Sequence, residues 1–97
     1  MRREPAIYIM ANRRKGTLYT GVTANPPQRV LQHKDAKADS FVARYGCRML
    51  VYYEYYEDMV SAIAREKQIK AGSRVKKIIL VESLNPEWRD LFEDFTA

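Results

Sequence analysis

Ninety-seven residues with 46% hydrophobic and 30% charged side chains give one small core and are too apolar for a disordered chain, so a single domain, residues 1–97, is expected. The net charge of +5 is unevenly placed: residues 82–97 hold five acids and one base, leaving residues 1–81 with sixteen bases against seven acids, a surplus that favours a polyanionic partner. No apolar run approaches the ~20 residues of a membrane span, the start shows no secretory cleavage site, and the lone Cys47 can form no internal disulfide, so a cytoplasmic protein with no membrane partner is expected.

Residues 6–11 (AIYIMA) and 17–22 (TLYTGV) are short β-branched and aromatic runs joined by the polar link Asn12-Arg13-Arg14-Lys15-Gly16, which predicts a β-hairpin. Asn25 is a fitting N-cap, Pro26 suits a first helical position, and Gln28 stands where a capping box places Glu or Gln; a helix from about Pro26 to Ala36 follows. Residues 38–46 suggest a short helical turn stopping at Gly46, and 48–56 (RMLVYYEYY) read as a third strand. Asp58 caps a helix over DMVSAIAREKQIKA that Gly72 terminates, Ser73 and Arg74 open another through KKIILVES, and Asn85-Pro86 opens a last one over EWRDLFEDF. The order describes a small α/β (α+β) domain with helices against a mixed or antiparallel sheet.

On the helix after Asp58, Met59, Ala62, Ile63 and Ile69 share one face, and Glu66 falls in the middle of it. A carboxylate there needs a cationic partner, a metal or an opening to solvent; an i,i+4 pair with Lys70 is the ordinary explanation. Arg29 and His33 are also i,i+4, and a guanidinium suits phosphate while a neutral imidazole accepts a proton near pH 7; two solvated surface residues would look the same. Tyr8 and Tyr19 lie on consecutive strands and share a face in one parity of hairpin register but not in the other. Gly21, lacking a Cβ, lets backbone or substrate approach closely.

Taken in order, Ala6-Ile7-Tyr8, Tyr19-Thr20-Gly21, Arg29, His33, Glu66 and Asn85 resemble the GIY-YIG nuclease family. From about Ala6 to Phe95, including AIAREKQIK and SLNPEWRDLF, the chain looks like its small stand-alone, excinuclease-like branch. Ala6 replaces the first glycine, Thr20 the isoleucine of the second tripeptide, and Val22 stands where some relatives carry lysine. The resemblance implies a central three-stranded antiparallel sheet flanked by helices, and a DNA endonuclease of repair or recombination that uses one Mg²⁺ or Mn²⁺. It makes Glu66 the metal ligand and Arg29 the group that neutralises the scissile phosphate. Tyr8 and Tyr19 would line the site, Tyr8 or His33 would be the general base, and Gly21 and Asn85 would support it, though Asn85 serves equally as a helix cap.

Two other readings share these residues. One is a nucleic-acid-binding module without cleavage, holding phosphates with Arg13, Arg14, Lys15, Arg74, Lys76 and Lys77. The other is a protein-interaction domain using YYEYY or the acidic tail; a protein partner for targeting is compatible with either reading.

Overall fold

The computed structural model describes residues 4–34 and 45–96, apart from the side chains of Pro27, Val30, His33, Lys34, Phe95 and Thr96. Strand β1 (Ala6–Ala11) pairs antiparallel with β2 (Leu18–Thr23) on one side and with β3 (Met49–Tyr55) on the other, giving the order β2-β1-β3. Its central place explains why all six residues of β1 are buried, and why its apolar run is continuous rather than alternating. The hairpin closes as the sequence predicts: Asn12 Oδ1 accepts from the Thr17 amide at 2.9 Å, the Gly16 amide donates to the Arg13 carbonyl at 3.0 Å, and Lys15 takes a left-handed φ of 53°.

Helices cover both faces. Helix α1 (Pro26–Lys34) starts at Asn25, whose Oδ1 accepts from the Gln28 amide at 3.4 Å. Helix α2 (Met59–Ala71) starts at Asp58, which accepts from the Ser61 amide, and α3 (Arg74–Leu84) starts at Ser73, which accepts from the Lys76 amide. Ala62 and Ile69 of α2 and Val81 of α3 pack with Ile7, Ile9 and Val51 into one core layer. The opposite layer holds Ala6, Tyr8, Met10, Cys47, Leu50 and Leu91, with Phe92 of the short helix α4 (Phe92–Thr96) against it. A small α+β domain with a three-stranded antiparallel sheet results. Among the described residues no helix is long and apolar enough to cross a membrane.

Two sequence expectations need correction or restriction. Residues 35–44, which include the end expected for the first helix and most of the expected turn, lie outside the described residues; Gly46 does take a left-handed φ of 69°. Gly72 ends α2 as expected, in extended backbone with φ −75°; a Cβ there would press on the Ile69 carbonyl at 3.3 Å. Asn85 does not open a helix: its amide donates to the Val81 carbonyl and closes α3, and the last helix begins only at Phe92.

The reason lies in the Asn85 side chain, which is buried. Its Nδ2 donates to the carbonyls of Val51 (3.2 Å) and Arg89 (2.8 Å), and its Oδ1 accepts from the Arg89 amide (3.0 Å), so the following residues are drawn into a tight turn. Trp88 adopts a left-handed φ of 58° in that turn, with its indole N–H donating to Glu82 at 2.7 Å. The same segment covers the outer edge of β3, since the Leu91 amide donates to the Leu50 carbonyl at 2.7 Å and Asp90 Oδ1 accepts from the Leu50 amide at 3.2 Å. Asp90 and Leu91 thereby cover that edge at Leu50.

Candidate active site

The hairpin register pairs Tyr8 with Gly21 and Met10 with Tyr19, so both tyrosines rise from the same face of the sheet. Their ring centroids are 6.4 Å apart. Tyr8 points across the neighbouring strand, and the space a Cβ would take at Gly21 is filled by its phenol: the Tyr8 Oη lies 2.3 Å and its Cζ 2.4 Å from that position. Gly21 therefore makes room for a protein side chain, where the sequence suggested backbone or substrate. The glycine lets a fully buried ring carry its hydroxyl over β2.

At that point α1 delivers Arg29, whose Nε donates to the Tyr8 hydroxyl at 3.3 Å while Nη1 donates to Gln32 at 3.3 Å. From the opposite layer α2, which carries Glu66, packs across β2 and β1. Burial, opposed by the Arg29 hydrogen bond and charge and assisted by Tyr19 and Glu66, pushes the Tyr8 phenol up to about 12. The Arg29 guanidinium is raised above its ordinary value, chiefly by the Tyr8 hydrogen bond, and stays cationic. His33 follows Arg29 by one turn of α1, and its side chain lies outside the described residues.

Glu66 is only 14% exposed and carries the ion pair that its spacing predicts, with Lys70 Nζ 3.2 Å from Oε2. Among the described residues no three His, Cys, Asp or Glu side chains cluster. A single hard carboxylate is still a usable donor set for a cation of the Mg²⁺ type, which keeps several waters and takes its remaining ligands from substrate oxygens. Among the described residues, Glu66 is a donor of the kind such an ion could use.

The basic candidates gather at one end of the fold. Arg13, Arg14 and Lys15 are exposed on the hairpin turn, and Arg74 at the start of α3 donates from Nη2 to the Lys15 carbonyl, so turn and helix adjoin. Lys76 is exposed and Lys77 half-buried on the same helix. Asn85 uses its side chain on β3 and on the turn at Arg89.

Sequence reasoning missed a hydrogen-bonded carboxylate on β3. Glu54 of β3 accepts from the Tyr52 hydroxyl, from the Tyr56 hydroxyl at 2.6 Å, and from Arg65 Nε and Nη2 at 3.0 and 3.1 Å. Desolvation works against its charge, but these donors win and hold its carboxyl below the ordinary value. Arg65 precedes Glu66, so the cluster pins α2 at the residue beside the candidate ligand. The i,i+2 pattern Tyr52-Glu54-Tyr56 was the available signal.

The sequence model of one family, described as the GIY-YIG catalytic domain, matches residues 4–78. The chain belongs to the GIY-YIG nuclease family. Among its relatives is a UPF0213 protein of Staphylococcus saprophyticus, 32% identical over 75 residues that make up 77% of this chain and 90% of the relative. A UPF0213 protein of Syntrophus aciditrophicus is 35% identical over 85 residues, 84% of this chain and 92% of the relative. No solved structure matches the chain. The GIY-YIG match ends within α3, so the Asn85 turn and α4 lie beyond it.

Proposed function

We propose that this GIY-YIG protein is a metal-dependent endonuclease that hydrolyses DNA phosphodiester bonds at the β2 edge, in a repair or recombination role. The observation that supports the reading is that Arg29 of α1 meets Tyr8 of β1 beside Tyr19 of β2, over strands that α2, the helix of Glu66, packs against from the opposite face. Arg29, fixed by its bond to Tyr8, stabilises the charge that builds on the phosphate as water attacks. Tyr8 keeps its proton at neutral pH and so positions Arg29 and donates to a phosphate oxygen or the attacking water. That leaves His33 the better acceptor for the proton released by the water.

A divalent ion, Mg²⁺ or Mn²⁺, anchored by Glu66 would supply Lewis-acid polarisation of the phosphodiester and a more acidic water. Arg13, Arg14, Lys15, Arg74, Lys76 and Lys77 hold phosphates away from the reacting bond, and Gly21 and Asn85 act by supporting the framework. The Glu66–Lys70 pair favours a second reading, in which the domain binds nucleic acid without cutting it.

Nicking of supercoiled DNA with Mg²⁺ or Mn²⁺, against an EDTA control, separates the two. Wild type should nick and Arg29→Met, equally folded, should not. Undiminished nicking by Arg29→Met would remove Arg29 from the chemistry, and no nicking by wild type on supercoiled or branched DNA would favour the binding module.

A further inference from the structure

Asp90 and Leu91 cover the outer edge of β3 at Leu50, and on the other side of the sheet an open groove runs beside β2, lined by Thr17, Tyr19, Thr20, Lys70, Arg74 and Lys77. Its cations are set by the backbone: Arg74 donates to the Lys15 carbonyl, and Lys77 Nζ donates to the carbonyls of Gly72 at 3.1 Å and Lys70 at 3.4 Å. Main-chain carbonyls hold these two side chains in place and leave their charge uncancelled. Lys70 belongs to two places at once, lining the groove while its ammonium sits on Glu66. It is also long and half-exposed, with 53% of its side chain in solvent, so moving it disturbs no core packing.

We propose that this groove is a backbone-phosphate subsite and that Lys70 couples it to Glu66. A nucleic-acid phosphate entering beside Arg74 and Lys77 draws the Lys70 ammonium away from Glu66 and releases the carboxylate for the divalent ion. The ion pair is half in solvent at its lysine end, so the ammonium can swing away, whereas an ammonium left 3.2 Å from the carboxylate would repel an arriving cation. Nucleic acid and metal then bind cooperatively, each improving the other's affinity by the same factor. The inference rests on the reading of Glu66 as the ion's anchor, and it adds a reason why the carboxylate is masked when no substrate is present.

The test is Mn²⁺ binding to the full chain, read from the EPR signal of free Mn²⁺ at fixed pH and salt. Wild type, Lys70→Met and Glu66→Gln are each titrated with and without a short DNA duplex, and the duplex alone sets the baseline. Lys70→Met should bind Mn²⁺ about three- to tenfold tighter than wild type in the absence of DNA. Adding duplex should tighten wild type and improve Lys70→Met much less, while Glu66→Gln should stay at the baseline. Lys70→Gln replaces Lys70→Met if the latter does not fold. Arg74→Met should lower the salt slope of duplex binding by about one without changing Mn²⁺ affinity of the protein alone.

Unchanged or weaker Mn²⁺ binding in Lys70→Met, with Glu66→Gln still at baseline, overturns the coupling and leaves Glu66 as the anchor. Wild-type binding by Glu66→Gln overturns the anchor reading and the coupling with it.

Discussion

Gly21→Ala probes the crossing on which the candidate site depends. The new Cβ would lie 2.3 Å from the Tyr8 hydroxyl oxygen and 2.4 Å from Cζ, an ångström or more inside the 3.4–4 Å of ordinary contact. Tyr8 is fully buried and has little freedom to yield, so overpacking should destabilise the fold by about 1–3 kcal/mol, a fall of roughly 5–20 °C in Tm for a domain of this size. Any relief moves the phenol off Arg29 and disperses the cluster. A thermal double-mutant cycle isolates the cause: in a Tyr8→Leu background, whose side chain is too short to cross the strand, Gly21→Ala should cost far less than in wild type. Tyr8→Phe should rescue only in part, because Cζ remains. Equal costs of Gly21→Ala in the wild-type and Tyr8→Leu backgrounds would refute the argument.

Raised tyrosines fix the alkaline limit of stability. Tyr8, at about 12, and Tyr52, raised by burial and then by Glu54, keep their protons in the folded state while the unfolded chain loses them near pH 10. Stability is therefore full below pH 10 and falls above it through pH 12, at about 1.4 kcal/mol per pH unit for each group, as denaturant melts across that range should show. Glu54 works in the other direction: its lowered carboxyl contributes stability that is present above the ordinary carboxylate range and lost as pH falls below it. Glu54→Gln should cost about 1–3 kcal/mol in urea melts and flatten that acid arm; an unaltered acid arm would show that the cluster is not its source. Asn85→Ala leaves two carbonyls and an amide without their side-chain partner and should cost about 2–4 kcal/mol, with activity lost in proportion to folded protein. Activity abolished at unchanged stability would instead place Asn85 in the chemistry.

Local chemistry was legible in the sequence wherever it was sufficient. Asn25, Asp58 and Ser73 cap the helices their positions predict, because a side-chain oxygen reaching an amide three residues on needs no tertiary help. Asn85 looked like a fourth such cap, but the Val51 carbonyl and the Arg89 turn outbid the amides of a following helix; that competition depends on β3 lying alongside. Tyr8, Tyr19, Arg29 and Glu66 were readable as candidates, yet their meeting depended on the hairpin register, which both parities of the sequence pattern allowed. The groove was hidden for a similar reason: Thr17 and Thr20 join Lys70, Arg74 and Lys77 only after α2 and α3 pack onto the sheet.

The most direct measurement is cleavage of supercoiled and branched DNA with Mg²⁺ or Mn²⁺ by wild type and Glu66→Ala prepared side by side, with thermal melts confirming that both are folded. Metal-dependent nicking by wild type that disappears in Glu66→Ala is the predicted result. Equal nicking by both proteins would contradict the account, since Glu66 would then have no part in the reaction.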